Sequence, residues 1–232
     1  MAYIGLSYTL RVKPRYPQRM PLPPSSVPRE PIHDRSIRAK SYSRQDGLLD
    51  IEAELLDVKG YDFTSRKGLR PAGTPVHHMH LRVTVDDDFN IVEAVAAYDA
   101  APYDERCSAI QTDYADLVGL NLVRGFRRQV RDRFGAAAGC THLSELALVL
   151  PTVAIQSRSR HYAKQAVGDS TVRPFAIDGC HALRHDGSVV QEFHPRWYGV
   201  PKGGQPHPQP PETATLVAAG SAPSSPSSSS DS

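Results

Sequence analysis

The chain has 232 residues, a formal net charge of +2 and 40% hydrophobic residues. A nearly balanced charge leaves no broad basic footprint for nucleic acid, and no run of about 18 apolar residues is present to cross a membrane. Its three cysteines form no CxxC pair, and their odd number argues against a disulfide framework.

The opening MAYIGLSYTLRVKPRYP has no basic region ahead of a long apolar stretch, so it is not read as a secretory signal. A reducing, cytoplasmic setting is expected for the thiols. Residues 13–33, KPRYPQRMPLPPSSVPREPIH, are rich in proline and arginine and are expected to be extended. They close an amino-terminal arm, 1–33. A single α+β domain is expected over 34–200, then a disordered Pro/Ser-rich tail, 201–232, ending SAPSSPSSSSDS.

SIRAKSYSR (36–44) reads as a strand and QDG (45–47) as a turn. In LLDIEAELLDVKG, Leu49, Ile51, Ala53 and Leu55 alternate with Asp50, Glu52 and Glu54, the period of a half-buried strand. A Gly-, Arg- and Pro-rich loop from Gly60 to Pro75 follows. In PVHHMHLRVTV, Met79, Leu81, Val83 and Val85 make one face and His78, His80, Arg82 and Thr84 the other. DDDFN is a turn, and IVEAVAAYD returns as the partner strand.

Beyond Cys107 the period lengthens. Ile110, Tyr114 and Leu117 have helical spacing, and Gly119 ends the run. A second helix is expected from Leu122, with Phe126 and Val130 on its apolar stripe. Arg124, Arg127, Arg128, Arg131 and Arg133 lie largely on the other side, a face for an anionic partner or for solvent. Thr141 is placed to cap a third helix carrying Leu143, Leu146, Ala147 and Leu150. Near the carboxy terminus, RHDGS is expected to turn a hairpin whose first strand carries Cys180 and His181. Hairpins followed by helices predict an α+β fold, an antiparallel hairpin-built sheet packed against a group of helices.

Each cysteine sits beside a glycine or ahead of a predicted helix, and a helix start favours thiolate. Thiolate and imidazole together suit zinc or iron. Cys107, Cys140 and His142 are therefore the candidates for a shared site, as metal ligands or as a reactive pair with His142 as base. His78, His80 and Cys180 are candidates to complete it. For each thiol the competing reading is a buried small hydrophobe, and for His78 and His80 a solvated strand face. No GxSxG, GxxxxGK[ST] or GxGxxG motif occurs.

Two resemblances bear on this. HDRSIRAKSYSR, LLDIEAELLDVK, PVHHMHLRVTVDDDFNIVEA, LVGLNLVRGFRRQV, GCTHLSEL and DGCHALRHDGSVV…HPRWY resemble a bacterial domain of unknown function family, number 2889, over roughly residues 33–198. That family carries no established activity. MHLRVTVDDDFNIVEAVAAYDAAPYDERCSAI also resembles the core of U-type iron–sulfur scaffold proteins: strand, acidic turn, returning strand, then a cysteine opening a helix. GLNL stands where those proteins have a GxxL segment. The resemblance implies an iron–sulfur cluster or its metal, with Cys107 and Cys140 at two of three cysteine positions. The third falls near Pro75 or Val76, where no cysteine exists, so His77 or His78, or Cys180, would have to supply it.

The expected function is thus metal- or sulfur-handling through a Cys/His site binding zinc, iron or an iron–sulfur cluster. In an enzyme, the metal would activate water or polarise a carbonyl. The alternative is a non-catalytic domain that binds a protein partner through the arginine helix or the Pro-rich arms.

Overall fold

The computed structural model describes residues 22–208 except 67, 104 and 159–170. The expectations for residues 1–21 and 209–232 lie outside these. Residues 22–32 and 201–208 carry neither helix nor strand. The chain divides into two compact units, Met1–Pro151 and Thr152–Ser232.

The first unit is built on a four-stranded antiparallel sheet ordered β1-β2-β5-β6. These strands are β1 His33–Ser43, β2 Leu49–Lys59, β5 Pro75–Val85 and β6 Ile91–Ala100. The loop expected between Gly60 and Pro75 folds a small hairpin of its own, β3 Phe63–Ser65 with β4 Gly68–Arg70. Side-chain alternation drives the sheet to bury one face. Leu49, Ile51, Ala53 and Leu55 of β2, and Met79, Leu81, Val83 and Val85 of β5, are all buried, while Glu52 and Arg82 between them stay in solvent.

Helices follow on the buried side, confirming α+β. Tyr114, Leu117 and Leu120 are buried at intervals of three, and the chain answers with a 3-10 helix, Ala109–Leu117, where a regular helix through Ile110 was expected. The next helix, α2 (Phe126–Phe134), starts later than expected. Gly125 adopts φ 69°, a left-handed conformation that interrupts any earlier start. Leu122 is buried in the preceding loop instead, its N–H donating to the Phe89 carbonyl at 3.0 Å. Phe126, Val130 and Phe134 of α2 (Phe126–Phe134) are buried at helical spacing. A four-residue turn of helix, α1 (Glu105–Ser108), links β6 to the 3-10 helix. The long helix α3, Thr141–Ser157, buries Leu143, Leu146, Ala147 and Leu150 completely. Among the described residues no helix is long and apolar enough to cross a membrane.

In the second unit, Ile177, Val190, Trp197 and Val200 form a small core. The hairpin expected around RHDGS is not formed. Cys180 instead precedes a 3-10 turn, His181–Leu183, and Gly187 precedes a short helix, Ser188–Phe193. The Asp178 carboxylate accepts the His185 backbone N–H at 2.9 Å and also meets its ring at 2.8 Å, tying the segment into a local loop. The flanks also lack strand alternation: of Val189, Val190 and Phe193 only Val190 is buried.

Gly139, just before α3, is held by packing rather than by conformation. A Cβ there would lie 2.5 Å from the Phe134 carbonyl oxygen and 2.7 Å from its Cβ. Gly139→Ala is expected to cost about 1–3 kcal/mol through forced backbone movement, read as a lower urea midpoint at unchanged slope.

Candidate functional site

Strand register carries the core-facing frame of β2 one step further than the apolar residues, onto Asp57, which is 1% exposed. Asp57 lies opposite His77, the core-facing residue at the start of β5. On its other side is Arg35 of β1. A carboxylate placed where the strand pattern wants an aliphatic side chain is costly unless it is paired and hydrogen-bonded. Here it is both. Arg35 donates two parallel hydrogen bonds of 2.7 Å, one to each oxygen. His77 Nδ1 stands 3.0 Å and His142 Nε2 3.6 Å from Oδ2, and His33 Nε2 lies 3.3 Å from Oδ1. Burial pushes the Asp57 carboxyl upward, yet the Arg35 hydrogen bonds and charge, aided by His77, hold it below the usual range. Arg35 also reaches Glu145 on α3, binding helix to sheet.

His142, in the first turn of α3, packs against His77 with ring centroids 3.8 Å apart. Burial, with the charge of His142 next, lowers the His77 pKa, which favours neutral imidazole there. Asp57 beside Nε2 of His142 favours the tautomer carrying its proton at that nitrogen and leaves Nδ1 as the acceptor. That Nδ1 is 3.9 Å from the Cys140 sulfur.

Cys140, not Thr141, is the residue that precedes the helix: its carbonyl accepts the Ser144 N–H at 2.9 Å, the first bond of α3. Its backbone is clamped from the side by the Tyr114 hydroxyl, which donates to the Cys140 carbonyl at 2.9 Å. Burial opposes ionisation of the thiol. Interaction with His142 first, then with Tyr98 and the backbone N–H groups of Leu143 and His142, outweighs it, bringing the pKa down from 9.0 to about 7. The thiol thus occupies the place of a capping side chain at a positive helix end. Tyr98, facing inward from β6, has a buried hydroxyl with no hydrogen-bond partner at ordinary distance among the described residues. Burial raises its pKa, and Cys140 raises it further, followed by Tyr114 and Cys107.

The other sequence candidates fall elsewhere. Cys107 is half-buried and lies inside the four-residue α1, not at the start of a long helix. Cys180 is exposed in the second unit. His78 and His80 alternate with buried Met79 and Leu81, so they lie on the outer face of the sheet, away from His77, and meet Glu54 and Asp99 there. The structure therefore separates two groups with ligand atoms close enough to share an ion: Asp57, His77 and His142 on one face, and Glu54, His78 and His80 on the other. On α2 and the residues before it, Arg124, Arg127, Arg128 and Arg131 are exposed, while Arg133 donates to the Asp116 carbonyl.

Asp57, Arg35 and Tyr98 were not singled out from sequence. A signal existed: Asp57 and His77 are polar residues in phase with the apolar frames 49–55 and 79–85, where a solvated side chain would be out of phase.

The chain matches the model of a family described as protein of unknown function (DUF2889) over residues 33–156, and it belongs to that family. The match covers β1 through α3, hence the whole Cys140–His142–Asp57 group, and ends short of the span to residue 198 expected from sequence. No curated protein and no solved structure matches.

Proposed function

We propose that this domain handles sulfur or a soft metal through Cys140, working as an activated thiolate. The observation that carries the reading is the line of three groups: thiol sulfur, His142 Nδ1 at 3.9 Å, and Asp57 at 3.6 Å from His142 Nε2. Nucleophile, base and orienting carboxylate in this order are the minimal apparatus for deprotonating a thiol at neutral pH. The proton passes from Cys140 Sγ to His142 Nδ1. The resulting imidazolium is held by Asp57, and the sulfur anion by the N–H groups of His142 and Leu143. Asp57 has both oxygens engaged by Arg35, which favours its role as orienter over direct metal ligation. Cys107, half-buried on α1, is the proposed second thiol of a reactive pair. Three free cysteines suit a cytoplasmic setting.

The test is site-resolved alkylation with iodoacetamide, plus metal and bound-sulfur assays on anaerobically purified full-length protein. Cys140 is expected to react ahead of Cys180 despite the greater exposure of Cys180. Cys140→Ser is expected to remove most bound sulfur and any metal held through thiolate, the latter read as loss of sulfur-to-metal charge transfer. If Cys140 is the slowest thiol and Cys140→Ser changes neither content, the cysteines are structural. The partner-binding reading, resting on the exposed Arg127, Arg128 and Arg131 of α2 and on Arg124 before it, then takes its place.

A further inference from the structure

The outer face of the sheet holds a second cluster that thiol chemistry does not use. β5 presents His78 and His80 side by side, with ring centroids 4.6 Å apart. Glu54 comes from β2, where it lies opposite His80 in the ladder, and its Oε1 is 2.9 Å from His78 Nε2. Asp99 comes from β6 at an irregularity in pairing: His78 opposes Ala100 and Met79 opposes Tyr98, leaving Asp99 with no partner residue. Bulges of this kind re-aim side chains and gather beside functional sites. This one brings a single Asp99 oxygen, Oδ2, to 3.4 Å from His78 Nδ1 and 2.9 Å from His80 Nε2.

We infer that Glu54, His78 and His80 form a divalent metal site of the zinc type, with Asp99 as the carboxylate that holds the imidazole N–H groups. Three features carry this. Ligand atoms of Glu54, His78 and His80 all lie within 4.8 Å of one another. Two donors on one zinc ion, with bonds of about 2.0–2.2 Å, sit about 3.3–3.6 Å apart, so the 2.9 Å now separating Glu54 and His78 needs only a small opening. Second, among the described residues neither carboxylate is ion-paired to a lysine or arginine: Arg38, opposite Glu54 in the ladder, acts on it through charge alone, and Arg82 pairs with Glu52 at 3.8 Å. Their partners are histidines, whose imidazole nitrogens are themselves zinc-type ligands. Third, the three ligands project from adjacent strands of one ladder, a rigid platform, and stay partly open to solvent, at 38%, 23% and 37% side-chain exposure for Glu54, His78 and His80. Two histidines and a carboxylate on a dication also leave coordination positions free for an outside ligand.

The site shares no residue with the Cys140 group, so the two stand or fall separately. The experiment is calorimetric titration of Zn²⁺ into the full-length chain, repeated with His78→Ala, His80→Ala, Glu54→Gln, Asp99→Asn and Cys140→Ser. Circular dichroism confirms that each variant is folded. The expected result is a site that weakens at least about tenfold in each of the first four variants and persists in Cys140→Ser. Co²⁺ loaded into the Cys140→Ser chain should give ligand-field bands without sulfur-to-metal charge transfer. Zn²⁺ affinity unchanged by His78→Ala and His80→Ala would overturn the inference, as would complete loss of binding in Cys140→Ser.

Discussion

His142→Ala is expected to move the midpoint of the pH–rate profile for Cys140 alkylation upward, from about 7 toward the ordinary thiol range. The reactive form is the thiolate, so the rate follows its fraction. In the intact site, burial disfavours that form, and His142 is the first of the groups that overcome it, ahead of Tyr98 and the two backbone N–H groups. Without the imidazole, burial meets weaker opposition, and less thiolate exists at any pH below the new midpoint. The loss is largest at and below neutrality and vanishes at high pH, where both proteins are fully ionised. Asp57→Asn, which keeps shape but weakens the hold on His142 Nε2–H, should shift the profile in the same direction by less. A profile in His142→Ala identical to wild type would remove His142 from the relay and leave the helix end as the activating group.

The second large effect is on stability. Arg35→Ala leaves Asp57 buried with only histidines for partners, and breaking one side of a buried ion pair typically costs about 3–5 kcal/mol. Arg35 keeps a side-chain exposure of 31%, so the lower end, about 3 kcal/mol, is expected. Urea unfolding measures it. The pH dependence has a definite sign. The folded carboxyl is lowered, so its stabilising contribution is complete above the unfolded carboxylate pKa of about 3.9 and is lost as pH falls through the folded value. Arg35→Ala should therefore flatten the acid limb of the stability curve. Replacing both partners, Arg35→Met with Asp57→Leu, should recover most of the loss, since apolar substitutes for a buried pair are often neutral or stabilising. The same double variant should alkylate slowly at Cys140, because the orienter of His142 is gone. A double variant as unstable as Arg35→Ala alone would show that the strand ends need these side chains for packing.

The sheet is legible in sequence because burial on one face imposes a period of two, which β2 obeys from Leu49 to Asp57 and β5 from Met79 to Val83. The helices were less so. Spacing of three and of four look alike over a few residues, and only the backbone decides between a 3-10 turn at Tyr114–Leu117 and a regular helix. Cys140 and His142 were recognised because a cysteine two residues before a histidine, at the start of an amphipathic helix, has chemical meaning on its own. Their partner was not. Asp57 lies 83 positions before Cys140 (140 − 57 = 83) in a strand whose other acids are solvated, and nothing local separates it from Glu52 or Glu54 except its phase. Likewise, Asp99 reaches His78 and His80 through an irregularity in strand pairing, which no side-chain pattern announces.

The position of the thiol at the head of α3 ties its reactivity to the order of the helix. Cys140 stands immediately before the seventeen residues of the helix, where the N–H groups of His142 and Leu143 favour its thiolate, so on the proposed reading the reactive atom and the helix start are one feature. Such a linkage runs both ways. Anything that tightens that first turn makes Cys140 a stronger acid. Any capture of the sulfur, by an alkyl group, a second sulfur or a metal, withdraws the acceptor and loosens the turn. On the proposed reading, fraying of the helix is expected to gauge whether that atom is occupied.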